Sequence, residues 1–402
     1  MDLSFLKHDY NILNQKEVRI ILTGGGSGGH TFPLIAIIRK LKSLAQEQNI
    51  NLSLLYIGPE DFTIPYLEKE GIEIKFISAG KIRRYFSFQN FTDIFKTIAG
   101  IFQSLWHVYS FMPDAILSKG GYGAFPVSLW GIIFFIPTYI HESDVVPGLT
   151  NRIIGKFAKK IFISFKGTEK YFNPNKTILV GNPIREELLS NINANKENTK
   201  KVLGLSNRPI LLILGGSQGS EHINDVILDA LPKLINNLEI IHQTGTNNYD
   251  RVIKESDVVF REIIKNEELK KYYHPIAFLE ETDTPSLTSL KDILLISDLV
   301  VSRAGSGSIF EIAAFKKPSI LIPLPWASQD HQKKNAYEYA QTGAAIVIEE
   351  NNLKPSILSN TILNLINDQE TLKKMSLAAQ SFAKLDAALK IAQYLLEQSS
   401  LS

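Results

Sequence analysis

Two stretches of this chain share one local design, an apolar strand that runs through a glycine-rich turn into a helix. The first reads as a strand at 18–22, the turn Thr23-Gly24-Gly25-Gly26-Ser27-Gly28-Gly29-His30, and a helix at 34–45. The second reads as a strand at 210–214, the turn Gly215-Gly216-Ser217-Gln218-Gly219, and a helix at 223–234. A strand that feeds a helix in this way opens a parallel α/β unit. Two such openings in a chain of 402 residues predict two α/β domains.

The segments between support this reading. Apolar runs at 52–57, 72–77, 115–117, 138–140, 160–163 and 178–180 alternate with helical patterns at 91–111, 129–135 and 149–157. Near-continuous apolar strands mark parallel sheets covered on both faces. Gly181-Asn182-Pro183 ends the series, and 190–201 is a polar linker or surface helix. The second series has strands at 239–243, 276–279, 298–301, 319–322 and 345–348, then a helical tail over 371–396.

Composition narrows the function classes. Hydrophobic residues at 44% and charged residues at 21% describe an ordinary globular chain. A formal charge of +2 recruits no polyanion in bulk, so an electrostatic partner must be read by a local patch. The absence of cysteine excludes disulfide scaffolds, thiol nucleophiles, iron–sulfur clusters and cysteine zinc sites. His141-Glu142-Ser143-Asp144-Val145 fails the HExxH spacing. Residues 1–17 lack a long apolar core and do not read as a secretory signal. Residues 120–140 carry no charge, but Pro126, Pro137, Gly121, Gly123 and Gly131 make them a loop, a buried helix and a buried strand rather than a membrane span.

A glycine turn at a helix start lets backbone N–H groups approach an anion, and the helix dipole adds favourable potential. Gly24, Gly26 and Gly29 satisfy GxGxxG, yet the second strand ends in Ile57-Gly58-Pro59 with Glu60 too far along to serve a ribose. A nicotinamide site is therefore disfavoured, and neither turn has the GxxxxGK[ST] of a P-loop. Either turn could be structural alone. One in each domain suits a transferase that grips a nucleotide-sugar donor and a phosphorylated acceptor in a cleft.

Other constellations fit that picture. Ser302-Arg303-Ala304-Gly305-Ser306-Gly307-Ser308-Ile309-Phe310-Glu311 runs from a strand into a helix, where Glu311 can accept from a ribose diol or remain a solvated helix acid. In the proline-rich loop before Lys333, Gln332 suits sugar hydroxyls, while Asp330 is a ligand group or a helix cap. His30 closes the first turn, where an imidazole meets a phosphate or takes a hydroxyl proton. His141-Glu142-Ser143-Asp144 ends a strand at the edge where α/β ligands collect, and Arg185 can bridge a diphosphate. Lys81, Arg83 and Arg84 precede Tyr85, Phe86, Phe88 and Phe91, and Arg152, Lys156, Lys159, Lys160, Lys166, Lys170 and Lys176 face Glu169 alone. With Ile98, Ile101, Phe102, Leu105 and Trp106 they read as a lipid-docking surface or as a core helix with a basic face. No nucleic-acid module is present.

The motifs GGGSGGH, KGGYGAFP, HESDVVPGLTNR, GNPIR, GGSQGS, SRAGSGSIFE and DHQKKNA, spread in this order over residues 18–395, resemble the MurG family. Singly each is weak; together they are specific. The resemblance implies a GT-B architecture of two Rossmann-like α/β domains with parallel sheets facing a deep cleft. Its parts would be an extension at 1–17, an acceptor and membrane domain at 18–186, a donor domain at 187–370, and a tail at 371–402 packing partly on the first domain. It implies inverting transfer of N-acetylglucosamine from UDP-N-acetylglucosamine to undecaprenyl-pyrophosphoryl-muramoyl-pentapeptide, without cofactor or bound metal, on the cytoplasmic face of the plasma membrane. Donor contacts would be Ser27, Gly28, Gly29, Arg185, Ser217, Leu279, Ser306, Gly307, Ser308, Ile309, Phe310, Glu311 and Gln332. Tyr122 and His141 would meet the acceptor, with His30 or Asp144 as base. The chain departs from many members in having Ser143-Asp144 where they have Gln-Asn, and in a longer connection at 281–289.

Overall fold

The structure, a computed structural model, describes residues 17–26, 28–80, 88–190, 192–216, 219–280 and 285–400, with the backbone alone at 88–90 and 92. It divides into two compact units, one up to Arg185 and again from Leu385, the other Glu186–Lys384.

The first unit holds β1 (Glu17–Thr23), α1 (Gly28–Glu47), β2 (Asn51–Gly58), α2 (Ile64–Glu68), β3 (Glu73–Phe76), α3 (Phe88–Phe111), β4 (Ala115–Ser118), α4 (Ala124–Ile133), β5 (Thr138–Glu142), α5 (Leu149–Ile154), β6 (Lys160–Ile163) and β7 (Thr177–Leu179). Its seven parallel strands run in the order β3-β2-β1-β4-β5-β6-β7. Side chains alternate across the sheet. Val18, Ile20 and Leu22 pack with Leu34, Ile37 and Leu41 of α1. Ile21 packs on the other face with Val108 of α3 and Val127 of α4. The uncharged stretch is thus α4 and β5, and among the described residues no helix is long and apolar enough to cross a membrane.

The second unit holds α6 (Glu186–Leu189), α7 (Lys196–Val202), β8 (Ile210–Leu214), α8 (Glu221–Leu234), β9 (Glu239–Gln243), α9 (Tyr249–Val258), β10 (Tyr273–Ile276), α10 (Leu290–Ile296), β11 (Leu299–Ser302), α11 (Ser306–Ala314), β12 (Ser319–Leu321), α12 (His331–Ala340), β13 (Ala345–Val347), α13 (Pro355–Asn367) and α14 (Gln369–Phe382). Its six strands run β10-β9-β8-β11-β12-β13, again all parallel. The final helix, α15 (Ala387–Ser400), belongs to the first unit, where Ile391, Ala392, Leu395 and Leu396 join the α1 core.

Several elements differ from the sequence reading: helix α4 begins at Ala124 rather than 129, α5 ends at Ile154 rather than 157, and the helical tail over 371–396 is two helices, α14 and α15. Strand β10 lies three residues earlier than the apolar run at 276–279, because Pro275 is admitted into a strand at the sheet edge. Helix α1 begins at Gly28, so the last residues of the glycine turn, Gly28, Gly29 and His30, form its first turn.

Candidate functional site

In each sheet the winding reverses beside the strand that precedes the glycine turn, between β1 and β4 and between β8 and β11. Loops at the carboxyl ends of strands flanking such a switch point are where α/β folds bind ligands. One backbone bond joins the two loops in each unit. The Lys119 amide donates to the Thr23 carbonyl at 2.8 Å, and the Arg303 amide to the Leu214 carbonyl at 3.3 Å.

In the first unit the glycine turn packs against Gly120-Gly121-Tyr122-Gly123. Gly26 has φ +88°, and a Cβ there would stand 2.3 Å from Cε1 of Tyr122, so the ring sits directly on the turn. His30 lies beside Gly121, whose Cβ would be 3.6 Å from its Nδ1. The Arg185 guanidinium stacks 5.1 Å from the centre of the Phe32 ring, in the second turn of α1. The structure thus gathers Gly28, Gly29, His30, Tyr122 and Arg185 around one loop. Ser27 lies outside the described residues. The loop already holds an anion of its own: the Gly26 amide donates to Oδ2 of Asp61 at 2.8 Å, while Oδ1 accepts from the Thr63 amide at 2.8 Å. Sequence reading missed Asp61, which stands in no recognised motif.

The end of β5 carries a buried polar network. His141 is wholly buried, and its Nε2 donates to the Gly181 carbonyl at 3.0 Å. Burial, aided by the Lys119 charge, holds its pKa well below the usual value, so the ring is neutral. The sequence sets His141 against the acceptor; in the structure no ring atom reaches the surface, and its bond to Gly181 supports the Gly181–Arg185 loop. Glu142 accepts from the amides of Asp144 at 3.0 Å and Gly148 at 3.2 Å, and from Asn151 Nδ2 at 2.9 Å. Lys119 Nζ donates to Ser143 Oγ, which donates to Asn182 Oδ1 at 3.1 Å. Asp144 is half-buried at the end of this network.

In the second unit Gly219 has φ +76°, and a Cβ would fall 2.2 Å from the Thr244 carbonyl. That carbonyl is fixed by Asn224 Nδ2 at 2.9 Å, and Asn224 by the buried His242 at 3.0 Å. Burial pushes the His242 imidazole down to about 3, so it stays neutral. Ser217 lies outside the described residues. Arg303, 9% exposed, donates from Nη2 to Ser220 Oγ at 2.7 Å and from Nη1 to the Ile322 carbonyl at 3.3 Å and to Glu350. It braces the loops after β8, β11 and β12, a role that its place inside a small-residue motif did not disclose.

Beyond Arg303, Gly305 and Gly307 face open space: a Cβ on either meets nothing within 4 Å. Ser306 is nearly buried, and Ile309 and Phe310 turn their side chains wholly into the core, leaving only backbone for a ligand. Leu279 is likewise buried, so only its backbone can meet a base. The connection at 281–289, of which 281–284 lie outside the described residues, is pinned at its ends by the Glu280 amide to the Thr288 carbonyl at 2.7 Å. Gln332 accepts from the Leu324 amide at 3.0 Å. Asp330 stands at the N-cap position of α12 without a side-chain capping bond, and both it and Gln329 have left-handed backbone. Non-glycine residues held in that region tend to mark functional loops. Among the described residues, no group of three or more His, Asp or Glu is placed to hold a metal ion.

Two Rossmann-like parallel units, each with its loops gathered at the switch point, define the GT-B class of glycosyltransferase folds. Residues 20–163 match the glycosyltransferase family 28 N-terminal domain and residues 210–391 its C-terminal domain, so the chain belongs to glycosyltransferase family 28. It is 36% identical, over 88% of its length and 91% of the relative's, to the UDP-N-acetylglucosamine--N-acetylmuramyl-(pentapeptide) pyrophosphoryl-undecaprenol N-acetylglucosamine transferase of Clostridium tetani. A Bacillus cereus transferase of the same name, numbered 2, is 36% identical over 94% of this chain and 99% of its own. The fold is shared with Acinetobacter baumannii MurG at a TM-score of 0.72 and 22% identity, covering 94% of this chain and 99% of that one. It is also shared with a Neisseria meningitidis UDP-GlcNAc 2-epimerase bound to UDP-GlcNAc, at 0.64 and 15%, covering 95% and 100%.

Proposed function

We propose that the chain is an inverting hexosyltransferase that moves N-acetylglucosamine from UDP-N-acetylglucosamine to the C4 hydroxyl of undecaprenyl-pyrophosphoryl-muramoyl-pentapeptide. The observation that carries this reading is the open space at Gly305 and Gly307, at the start of α11 and beside the braced Arg303, in a chain whose relatives bear that transferase name. Small residues there leave room for a diphosphate against backbone amides and the positive end of a helix dipole. Glu311 takes the ribose, Gln332 the sugar hydroxyls, and Arg185 a diphosphate oxygen.

The C4 hydroxyl attacks C1 of the donor as the bond from C1 to UDP breaks, so the configuration inverts. His30 takes the hydroxyl proton, with Asp144 the second candidate base. Charge developing on the departing UDP falls to amides already oriented before reaction, which is where such stabilisation is most effective.

The lipid part of the acceptor requires a membrane surface, and α3 supports one. Phe91, Phe95, Ile98, Phe102 and Trp106 recur at helical spacing and are exposed, Phe102 and Trp106 by 67% each. Lys81, Arg83, Arg84, Tyr85 and Phe86, and the Phe88 side chain, lie outside the described residues; Lys156, Lys159 and Lys170 supply positive charge elsewhere on the unit. We place this face on anionic lipid at the cytoplasmic side of the plasma membrane. The test is transfer by the purified chain. UDP-N-acetylglucosamine with the lipid-linked muramoyl pentapeptide should yield UDP and disaccharide lipid in equal amounts, identified by mass. Transfer to diacylglycerol instead, or sugar-nucleotide binding without transfer, overturns the reading.

A further inference from the structure

The network at the end of β5 contains a buried cation that the transfer scheme leaves without a task. Lys119 is the first residue after β4 and is 2% exposed. Its backbone is tied to β1 through Thr23, and its Cβ lies 3.3 Å from where a Cβ on Gly24 would stand. Its ammonium donates to Ser143, and Ser143 to Asn182. One side chain thus links the glycine turn, the loop after β5 and the Gly181–Arg185 loop. Glu142 and Asp144, two carboxylates at one strand end, both act electrostatically on this ammonium, as it does on His141.

We propose that Lys119 is a positioning residue of the transfer reaction: its buried ammonium, the counter-charge to Glu142 and Asp144, holds Ser143 and Asn182 in place. The proposal rests on the reading of this unit as the acceptor side. Burying an ammonium is costly unless opposite charge and hydrogen bonds compensate it. Here compensation comes from the bond to Ser143 and from the carboxylates of Glu142 and Asp144. Burial pushes Lys119 down to about 8 while Glu142 and Asp144 pull it up. Burial, with repulsion from Asp144, pushes Glu142 up to about 7, against the bonds it accepts and the pull of Lys119. Glu142 already binds its proton more readily in the folded state than in the unfolded chain, and removing the ammonium would strengthen that preference. Stability gained from that protonation is lost as pH rises through the raised folded pKa.

The experiment compares the full chain with Lys119→Met, Asp144→Asn and the double variant by thermal unfolding at pH 5.5 and 7.5. The expected result is a lower midpoint for Lys119→Met, with a deficit larger at pH 7.5 and mostly recovered when Asp144→Asn is added. In transfer assays kcat should fall in Lys119→Met and recover in Lys119→Arg, which keeps the charge. Lys119→Gln, which keeps a donor without charge, serves the same comparison if the Met variant does not fold. A deficit equal at both pH values and untouched by Asp144→Asn would make Lys119 a packing residue and overturn the proposal. Absence of transfer by the unaltered chain would instead overturn the acceptor-side reading, and the unfolding cycle would still decide the counter-ion.

Discussion

Replacing Gly307 by alanine should move stability and activity in opposite directions. Gly307 is the second residue of α11, and a Cβ there meets nothing within 4 Å. Alanine can adopt the same backbone and loses less conformational freedom on folding, which stabilises by about 0.5–1 kcal/mol. For a domain of this size that raises the thermal midpoint by roughly 1–4 °C. The added methyl nevertheless enters the space assigned to the donor diphosphate. Losing one hydrogen bond to a charged oxygen costs about 1.5–3 kcal/mol, or roughly 10- to 150-fold in UDP affinity and in kcat/KM for the donor. Scanning fluorimetry reads the first effect and titration calorimetry with UDP the second. A variant that is more stable and binds UDP as well as the parent would show that this space is plain solvent, and the donor assignment at α11 would fail.

The other predictions are independent of it. Arg303→Met should lower stability by about 2–3 kcal/mol in urea unfolding, since Ser220 and Glu350 lose a largely buried partner; a change below 0.5 kcal/mol, the size of an ordinary surface substitution, would remove its bracing role. His30→Ala should reduce kcat by at least ~10²-fold, and near-normal turnover would pass the base role to Asp144. Asp61→Asn keeps an oxygen for Thr63 but turns a donor toward the Gly26 amide, so inorganic pyrophosphate should bind about 2- to 10-fold more tightly; unchanged binding would mark Asp61 as a loop brace. Trp106→Ser should weaken sedimentation with anionic vesicles by about tenfold or more at an unchanged thermal midpoint, and equal sedimentation would place the lipid surface elsewhere.

The alternation of strands and helices was legible because central parallel strands are buried along their whole length and so rich in apolar residues, as β4 and β8 are. The glycine turns were legible for the same local reason. Strand β10 was misplaced because proline signals a break unless the strand is known to lie at an edge, which only the sheet order reveals. The site was partly legible. His30, Tyr122 and Arg185 meet at one loop, but Ile309 and Phe310 face the core because α11 turns them inward. Lys119, Asp61 and Arg303 were missed for one physical reason: their roles arise from partners far along the chain. Lys119 reaches residue 143, Asp61 residue 26, and Arg303 residues 220 and 350.

The placement of α15 bears on how the protein is made. Ile391, Leu395 and Leu396 complete a core begun by Ile20 and Leu34, and Tyr394 lies edge-on to Tyr139 and Phe162 at 5.8 and 5.5 Å. During synthesis the first-translated sheet must wait, with one apolar flank uncovered, until nearly four hundred residues have left the ribosome, whereas the second unit has all its parts earlier. A released chain ending at residue 384 would then carry one unit with all its parts and one whose core lacks α15, in the reverse of their order of synthesis.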